Sequence, residues 1–171
     1  MGTPVKIYKS SDTDAPQITG GRGDVKKVLK ACLVAGYGTA ATRKEPLGWE
    51  IVAGTESADG FNCAFRPTAA DSGKNIIHIA GANTLAVTLT AYFDTDINGA
   101  LVNPSPAMAA MPTFKSGGVD WMVVGHHKSF ILIIRIRTAP NLNEPLGAQG
   151  SALFFGEFEN RINNPRGNTL L

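Results

Sequence analysis

The sequence predicts an α+β fold that is mainly antiparallel β, a sandwich- or barrel-like sheet system carrying one N-terminal amphipathic helix. Three observations lead there. Helical spacing of apolar residues occurs in one stretch, Asp24 to Gly38, where Val25, Val28, Leu29, Cys32 and Leu33 fall at i, i+3, i+4, i+7 and i+8. Beyond Trp49 the pattern changes to short runs with period two, separated by turn residues. The aromatic residues Trp49, Phe61, Phe65, Tyr92, Phe93, Trp121, Phe130, Phe154, Phe155 and Phe158 sit on or beside those runs. Aromatics at strand spacing read as core before they read as a sugar-stacking platform.

Taken in order, residues 4–9 alternate apolar and polar and suit a short edge strand with Pro4 at its start. A turn-rich connection from Ser10 to Gly23 precedes the helix, which Asp24 is expected to cap and Gly36 and Gly38 to end. After a loop from Tyr37 to Gly48, strands are expected at Trp49–Ala53 and Phe61–Arg66, around the turn Ser57-Ala58-Asp59-Gly60. Asn75–Ala80 and Leu85–Phe93 read as a hairpin turning through Gly81-Ala82-Asn83. Asn98 to Gly118 holds prolines, glycines and methionines without a steady period and reads as a long loop, a kind of segment that is usually functional or held by a partner.

A second hairpin joins Trp121–Val124 to Ser129–Arg137 through Gly125-His126-His127-Lys128. Its second arm is apolar on both faces over Phe130 to Ile134, which places it centrally in a sheet or under a neighbouring subunit. Arg135 and Arg137 share a face with Ile131 and Ile133. Ser151 to Phe158 forms a last strand, and residues 160–171 form an extended C-terminal tail ending in two leucines. The whole chain, 1–171, reads as one domain with no internal repeat.

Composition narrows the function classes. Only 18% of the 171 residues are charged, below the roughly 25% of an average soluble domain, which suits a subunit packed against neighbours. The formal charge of +2 is scattered and forms neither a nucleic-acid stripe nor a polybasic membrane patch. Cys32 and Cys63 read as buried free thiols, with a disulfide between them as the alternative. No signal peptide or membrane span is read, so the chain is expected in a cytoplasm until assembly.

The chemistry-bearing motifs are weak. Asp94, Asp96 and Asn98, with Gly99, match the first half of a calcium loop, but position twelve is Ser105 and not a bidentate glutamate. A polar turn at the end of a strand accounts for the same residues. Arg22-Gly23-Asp24 spells an adhesive tripeptide, yet Asp24 has a sufficient role at the helix start. His126 and His127 are adjacent, and on a strand they would face opposite ways and not share a metal ion. His78 lies too far along the chain to be assigned as a third ligand. No GxSxG, HExxH, CxxC pair or phosphate-binding loop occurs, and Cys32 lies on the buried helix face. No enzyme, cofactor or metal site is therefore expected.

Several segments carry a resemblance in their order and spacing: VKIYKSSDTDAP, KACLVAGYG, GWE, CAFR, LTAYFDTD, DWMVVGHHKSFILII and ALFFGEF. Together they resemble a group of tailed-bacteriophage virion structural proteins. Where that group carries acidic residues at the second hairpin turn, His126-His127-Lys128 depart from the pattern, so no function of that turn is carried over. The resemblance implies a non-enzymatic, multi-copy part of a phage particle, assembled in the bacterial host cytoplasm. A head decoration or minor capsid protein leads, with a tail, neck or baseplate component, or a fibre-type receptor- or glycan-binding module, as alternatives. Its partners would be other copies of itself and other virion proteins, with contacts expected in the loop 98–118 and the tail 160–171.

Overall fold

The computed structural model describes residues 4–19, 21, 23–56, 60–73, 75–82, 88–95, 99–104, 119–136, 150–158 and 167–168. Strand β1 (Lys6–Lys9) leads to helix α1 (Asp24–Lys30) and then to β2 (Trp49–Glu56), β3 (Gly60–Pro67), β4 (Ile76–Ala82), β5 (Thr88–Thr95) and β6 (Leu101–Pro104). The chain continues through β7 (Val119–His126), β8 (Ser129–Ile136), β9 (Gly150–Phe158) and β10 (Gly167–Asn168). Two five-stranded antiparallel sheets result. One is a sequential meander, β2-β3-β4-β5-β6; the other has the order β1-β7-β8-β9-β10. The fold is thus the β-rich α+β architecture expected from the sequence.

The helix buries the five residues picked out by its periodicity, each no more than 2% exposed. At roughly 1.5–3 kcal/mol per buried aliphatic side chain, this face is what holds so short a helix in place. Its start differs from expectation, while its stop at Gly36 follows it. Asp24 is the first helical residue and does not cap it; Gly23, with φ 76°, precedes the helix. The Asp24 carboxylate instead turns back into the preceding loop. There Oδ2 accepts from the Thr19 N–H at 2.9 Å, the Thr19 hydroxyl at 3.1 Å and the Gly21 N–H at 2.9 Å. Beyond Lys30 the helix widens into one π turn, Ala31–Ala35, closed when the Gly36 N–H donates to the Ala31 carbonyl at 2.8 Å. Gly36 has φ 70°, and a Cβ there would press on the Lys44 carbonyl, so the stop needs glycine.

Both sheets turn their apolar faces into one core. Phe61, Cys63, Phe65, Ile77 and Ile79 come from the meander; Trp121, Val123, Phe130, Leu132, Ile134, Leu153 and Phe155 come from the other sheet. Trp49 of β2 bridges them edge-on, 5.4 Å from the Phe130 ring and 5.9 Å from Phe155. Cys32 and Cys63 are both free and buried, as expected.

The N-terminal arm is stitched down by specific polar contacts. β1 pairs along the edge of β7, with Tyr8 opposite Val123. The Tyr8 hydroxyl donates to the Glu45 carbonyl at 2.6 Å and the Trp121 indole N–H to the Pro16 carbonyl at 2.8 Å. Asp12 Oδ2 accepts from the Tyr37 hydroxyl at 2.6 Å and from the Lys9 N–H at 2.9 Å, with Lys44 Nζ at 3.5 Å. Burial works against the charge on Asp12, but these three partners outweigh it and hold its carboxyl below the usual carboxylate range. Burial pushes the Tyr8 and Tyr37 hydroxyls far up, so both remain donors.

Three boundaries move. Gly81 and Ala82, expected in a turn, stay in β4 opposite Phe61 and Gly60, because pairing to β3 extends that far; Asn83 lies outside the described residues, as do Ser57, Ala58 and Asp59. The stretch read as a loop from Asn98 begins with β6, whose Leu101 and Val102 pair with Thr95 and Asp94. Pro104 is tolerated there because β6 is an edge strand. The remainder of that loop, from Ser105 to Gly118, lies outside the described residues. Within the tail, Gly167 and Asn168 double back to pair with Phe158 and Glu157 as β10.

Two substitutions test these packing arguments. Gly156 (φ 149°) faces Ser129 across β8 and β9, and an added Cβ would overlap Ser129 Cβ and Cα. Gly156→Ala is expected to lower unfolding free energy by about 2–4 kcal/mol, through overpacking and backbone strain, as read by denaturant titration. Asp24→Ala is expected to cost less, about 1–2 kcal/mol, because the donors it abandons sit on exposed residues that can turn to water. An unchanged thermal midpoint for either variant contradicts the corresponding contact.

Candidate interaction surface

The outward residues of β1, β7, β8 and β9 are set by register. Lys9, Met122, Ile133 and Ala152 lie in one cross-strand row, and Ile7, Val124, Ile131 and Phe154 in the next. Beyond the first row Asp120 stands directly opposite Arg135; beyond the second, His126 stands opposite Ser129. Alternation explains this face: in β7, inward Val119, Trp121, Val123 and Gly125 are buried while Asp120, Met122, Val124 and His126 are partly open. Its inward partners are apolar, and so is most of its outward side.

Among the described residues the large exposed hydrophobics are Val5, Ile7, Ile51, Ile131 and Ile133, at 58%, 48%, 39%, 37% and 37%. All but Ile51 belong to this face or to the lead into β1. The meander's outward side is built differently. Arg66 bonds Glu50 at 2.6 and 3.1 Å, Asn62 bonds Thr55 at 2.7 Å, and His78 stacks edge-on to Tyr92 at 5.8 Å. The meander's outward side thus mixes polar pairs with the fully buried Ala64 and Ile76, whereas the other face is an apolar band rimmed by charge.

At one corner of the band, an open cleft of about 390 Å³ lies between the end of β1 and the β7–β8 pair. Met122 and Ile133 give it an apolar side; Lys9, Ser10, Ser11, Asp120 and Arg135 supply its polar groups. The Ser10 hydroxyl donates to Asp120 Oδ1 at 3.2 Å, fixing the carboxylate at the mouth. The cleft offers hydroxyls and charges of both signs, a setting for a charged side chain with an aliphatic stem.

The histidines lie at the opposite end. The turn of this hairpin is the two residues His127 and Lys128, and His126 belongs to β7. Leaving the strand alternation brings the two imidazoles within 5.5 Å, so the opposite-face expectation fails at the turn. His126 Nδ1 accepts from the Lys128 N–H at 3.2 Å, which puts the neutral ring's proton on Nε2, 2.9 Å from the Ser129 hydroxyl oxygen. His126 therefore donates to Ser129 and does not draw its proton, the reverse of a nucleophile–base pair. Lys128 Nζ reaches Asp71 at 2.6 Å and His127 Nε2 reaches it at 3.4 Å, tying the hairpin to the β3–β4 connection. The Lys128 hydrogen bond leads in holding the Asp71 carboxyl below its usual range.

Other sequence motifs are not brought together. Asp94 lies in β5, its Oδ1 accepting from the Thr95 N–H at 2.8 Å; Asp96 and Asn98 lie outside the described residues. Asp24 of the adhesive tripeptide is 6% exposed with its carboxylate turned inward, and Arg22 is outside the described residues. His78 is on the other sheet from His126 and His127. No group of three metal-capable side chains occurs among the described residues. Burial pushes the Cys32 thiol well above its ordinary value. No helix among them is long and apolar enough to cross a membrane.

The expected contact segments, 98–118 and 160–171, fall largely outside the described residues, while the apolar face was only half read. The two-faced run from Phe130 to Ile134 signalled Ile131 and Ile133; Ile7, Met122, Val124 and Phe154 join them only through strand pairing. Comparison with protein-family models, with characterised proteins and with solved structures finds no match.

The histidines give this molecule a pH dependence with a definite sign. Burial first, then the His127 and Lys128 charges, lower the His126 pKa, and burial lowers that of His78. A depressed histidine contributes stability that is present above about pH 6.5 and lost as the pH falls through the folded value. Unfolding free energy is expected to decline from pH 7 to pH 5, and His126→Gln should flatten that decline; an equal slope in the variant removes His126 from the account.

Proposed function

We propose that this chain is a non-enzymatic structural subunit of a bacteriophage particle, a head decoration or minor capsid protein that stabilises the assembly through intersubunit contacts. The observation that carries the reading is the exposed apolar face of β1, β7, β8 and β9. Such a face is unfavourable on a solitary molecule and favourable when covered by a neighbour. The low charge content points the same way. The segments that resemble phage virion proteins fall on the elements that build the two sheets and the helix stop, so the likeness is one of scaffold. The described aromatic side chains are mostly spent in the core, which leaves a glycan platform less to work with than an assembly surface has.

Other copies of the chain and other virion proteins would be the partners, and the virion its location. A tail, neck or baseplate position would use the same surface. Mass spectrometry on purified particles of the phage that encodes the chain, with heads and tails fractionated, tests the reading. The expected result is a fixed ratio of this chain to the major capsid protein in the head fraction. Recovery only with tails moves it to the alternative position, and absence from particles overturns it.

A further inference from the structure

We infer that the apolar outer face of β1, β7, β8 and β9 is covered by the same face of a second copy, across a two-fold axis running parallel to the strands between β7 and β8. The inference deepens the proposed assembly role and rests on it. Area and charge argue for this occupant.

β7 and β8 are eight residues long, β9 nine and β1 four, so at about 3.3 Å per residue and about 4.8 Å per strand the four-strand face covers about 460 Å². Two such faces together remove about 900 Å² from water, the size of a weak, reversible pairing. Strand register lays out two mainly apolar rows on this face, the kind of surface that sheet-on-sheet packing buries.

Charge fixes the register. A two-fold axis between β7 and β8 exchanges β7 with β8 and β1 with β9, leaving each row facing its own copy. Ile131 then meets the second copy's Val124, Ile133 its Met122, and Phe154 its Ile7. In the next row Arg135 meets Asp120 and Asp120 meets Arg135, giving two reciprocal ion pairs from one pair of residues. Asp120 is held by its Ser10 hydrogen bond at the mouth of the cleft, which its own Lys9 and Arg135 also line. Lys9, at the rim opposite Ala152, reaches solvent along its stem. A parallel or offset stacking loses both ion pairs.

The test uses the full chain and two charge reversals. Arg135→Asp places carboxylates at both contacts, and Asp120→Arg places guanidinium groups at both. Each variant alone should bind itself at least about 100-fold more weakly than the parent. Mixed in equal amounts, they should recover a two-copy mass by light scattering, because every contact is again of opposite sign. Ile131→Asp, at an exposed position that leaves the ion pairs intact, should also give a one-copy mass, and serves if a charge reversal fails to fold by circular dichroism. A parent chain of one-copy mass at high micromolar concentration overturns the inference. So does a two-copy parent unaffected by these changes, a mixture of folded reversals that stays single, or a different virion protein found seated on this face. A single-copy parent that is still present in particles sinks this inference and leaves the virion reading standing; a paired parent absent from particles does the opposite.

Discussion

Burial of one sheet against the other is the constraint on which the molecule depends. Neither sheet can leave its inner row of Phe, Ile, Leu and Trp side chains in water, and the helix is too short to stand without them. Trp49 is where the constraint concentrates: it opens β2, yet its ring packs on Phe130 and Phe155 of the opposite sheet. Its indole N–H finds no hydrogen-bond partner among the described residues, so shape and area hold that ring and a polar tether does not.

Around this core, polar contacts decide where irregular chain lies. Asp12, Tyr37 and Lys44 draw three separate stretches of the N-terminal third together, and the Tyr8 and Trp121 donors fasten the arm to backbone carbonyls. These are hydrogen bonds of modest individual worth, but each satisfies a group at the margin of the core that would be costly to bury alone. The arm in turn supplies β1, the edge strand of the outer face, and those contacts fix the chain that follows it.

The two outer faces then take different parts. The meander carries ion pairs and hydroxyls outward, and the other sheet carries two apolar rows with charge at one end and imidazole at the other. The same register that puts Phe130, Leu132 and Ile134 inside puts Ile131 and Ile133 outside, because strand side chains alternate from Phe130 to Arg135.

By itself the sequence determined the periodic elements and the absence of familiar catalytic motifs. The helix face was legible to the residue, since 3.6-residue spacing admits one solution for Val25, Val28, Leu29, Cys32 and Leu33, and the strand runs were legible because alternation is local. Only tertiary structure decided what depends on residues distant in the chain. Asp24 misled even at short range, since the loop folds Thr19 and Gly21, five and three positions before it, onto the carboxylate that looked like a cap. β4 ran through its expected turn, and Leu101–Pro104 became a strand, because an available partner edge extends pairing past local signals. The apolar face follows the same logic: Ile7, Val124, Ile131 and Phe154 are up to 147 positions apart in the chain and adjacent in space, brought together by hydrogen-bond register that no local pattern encodes.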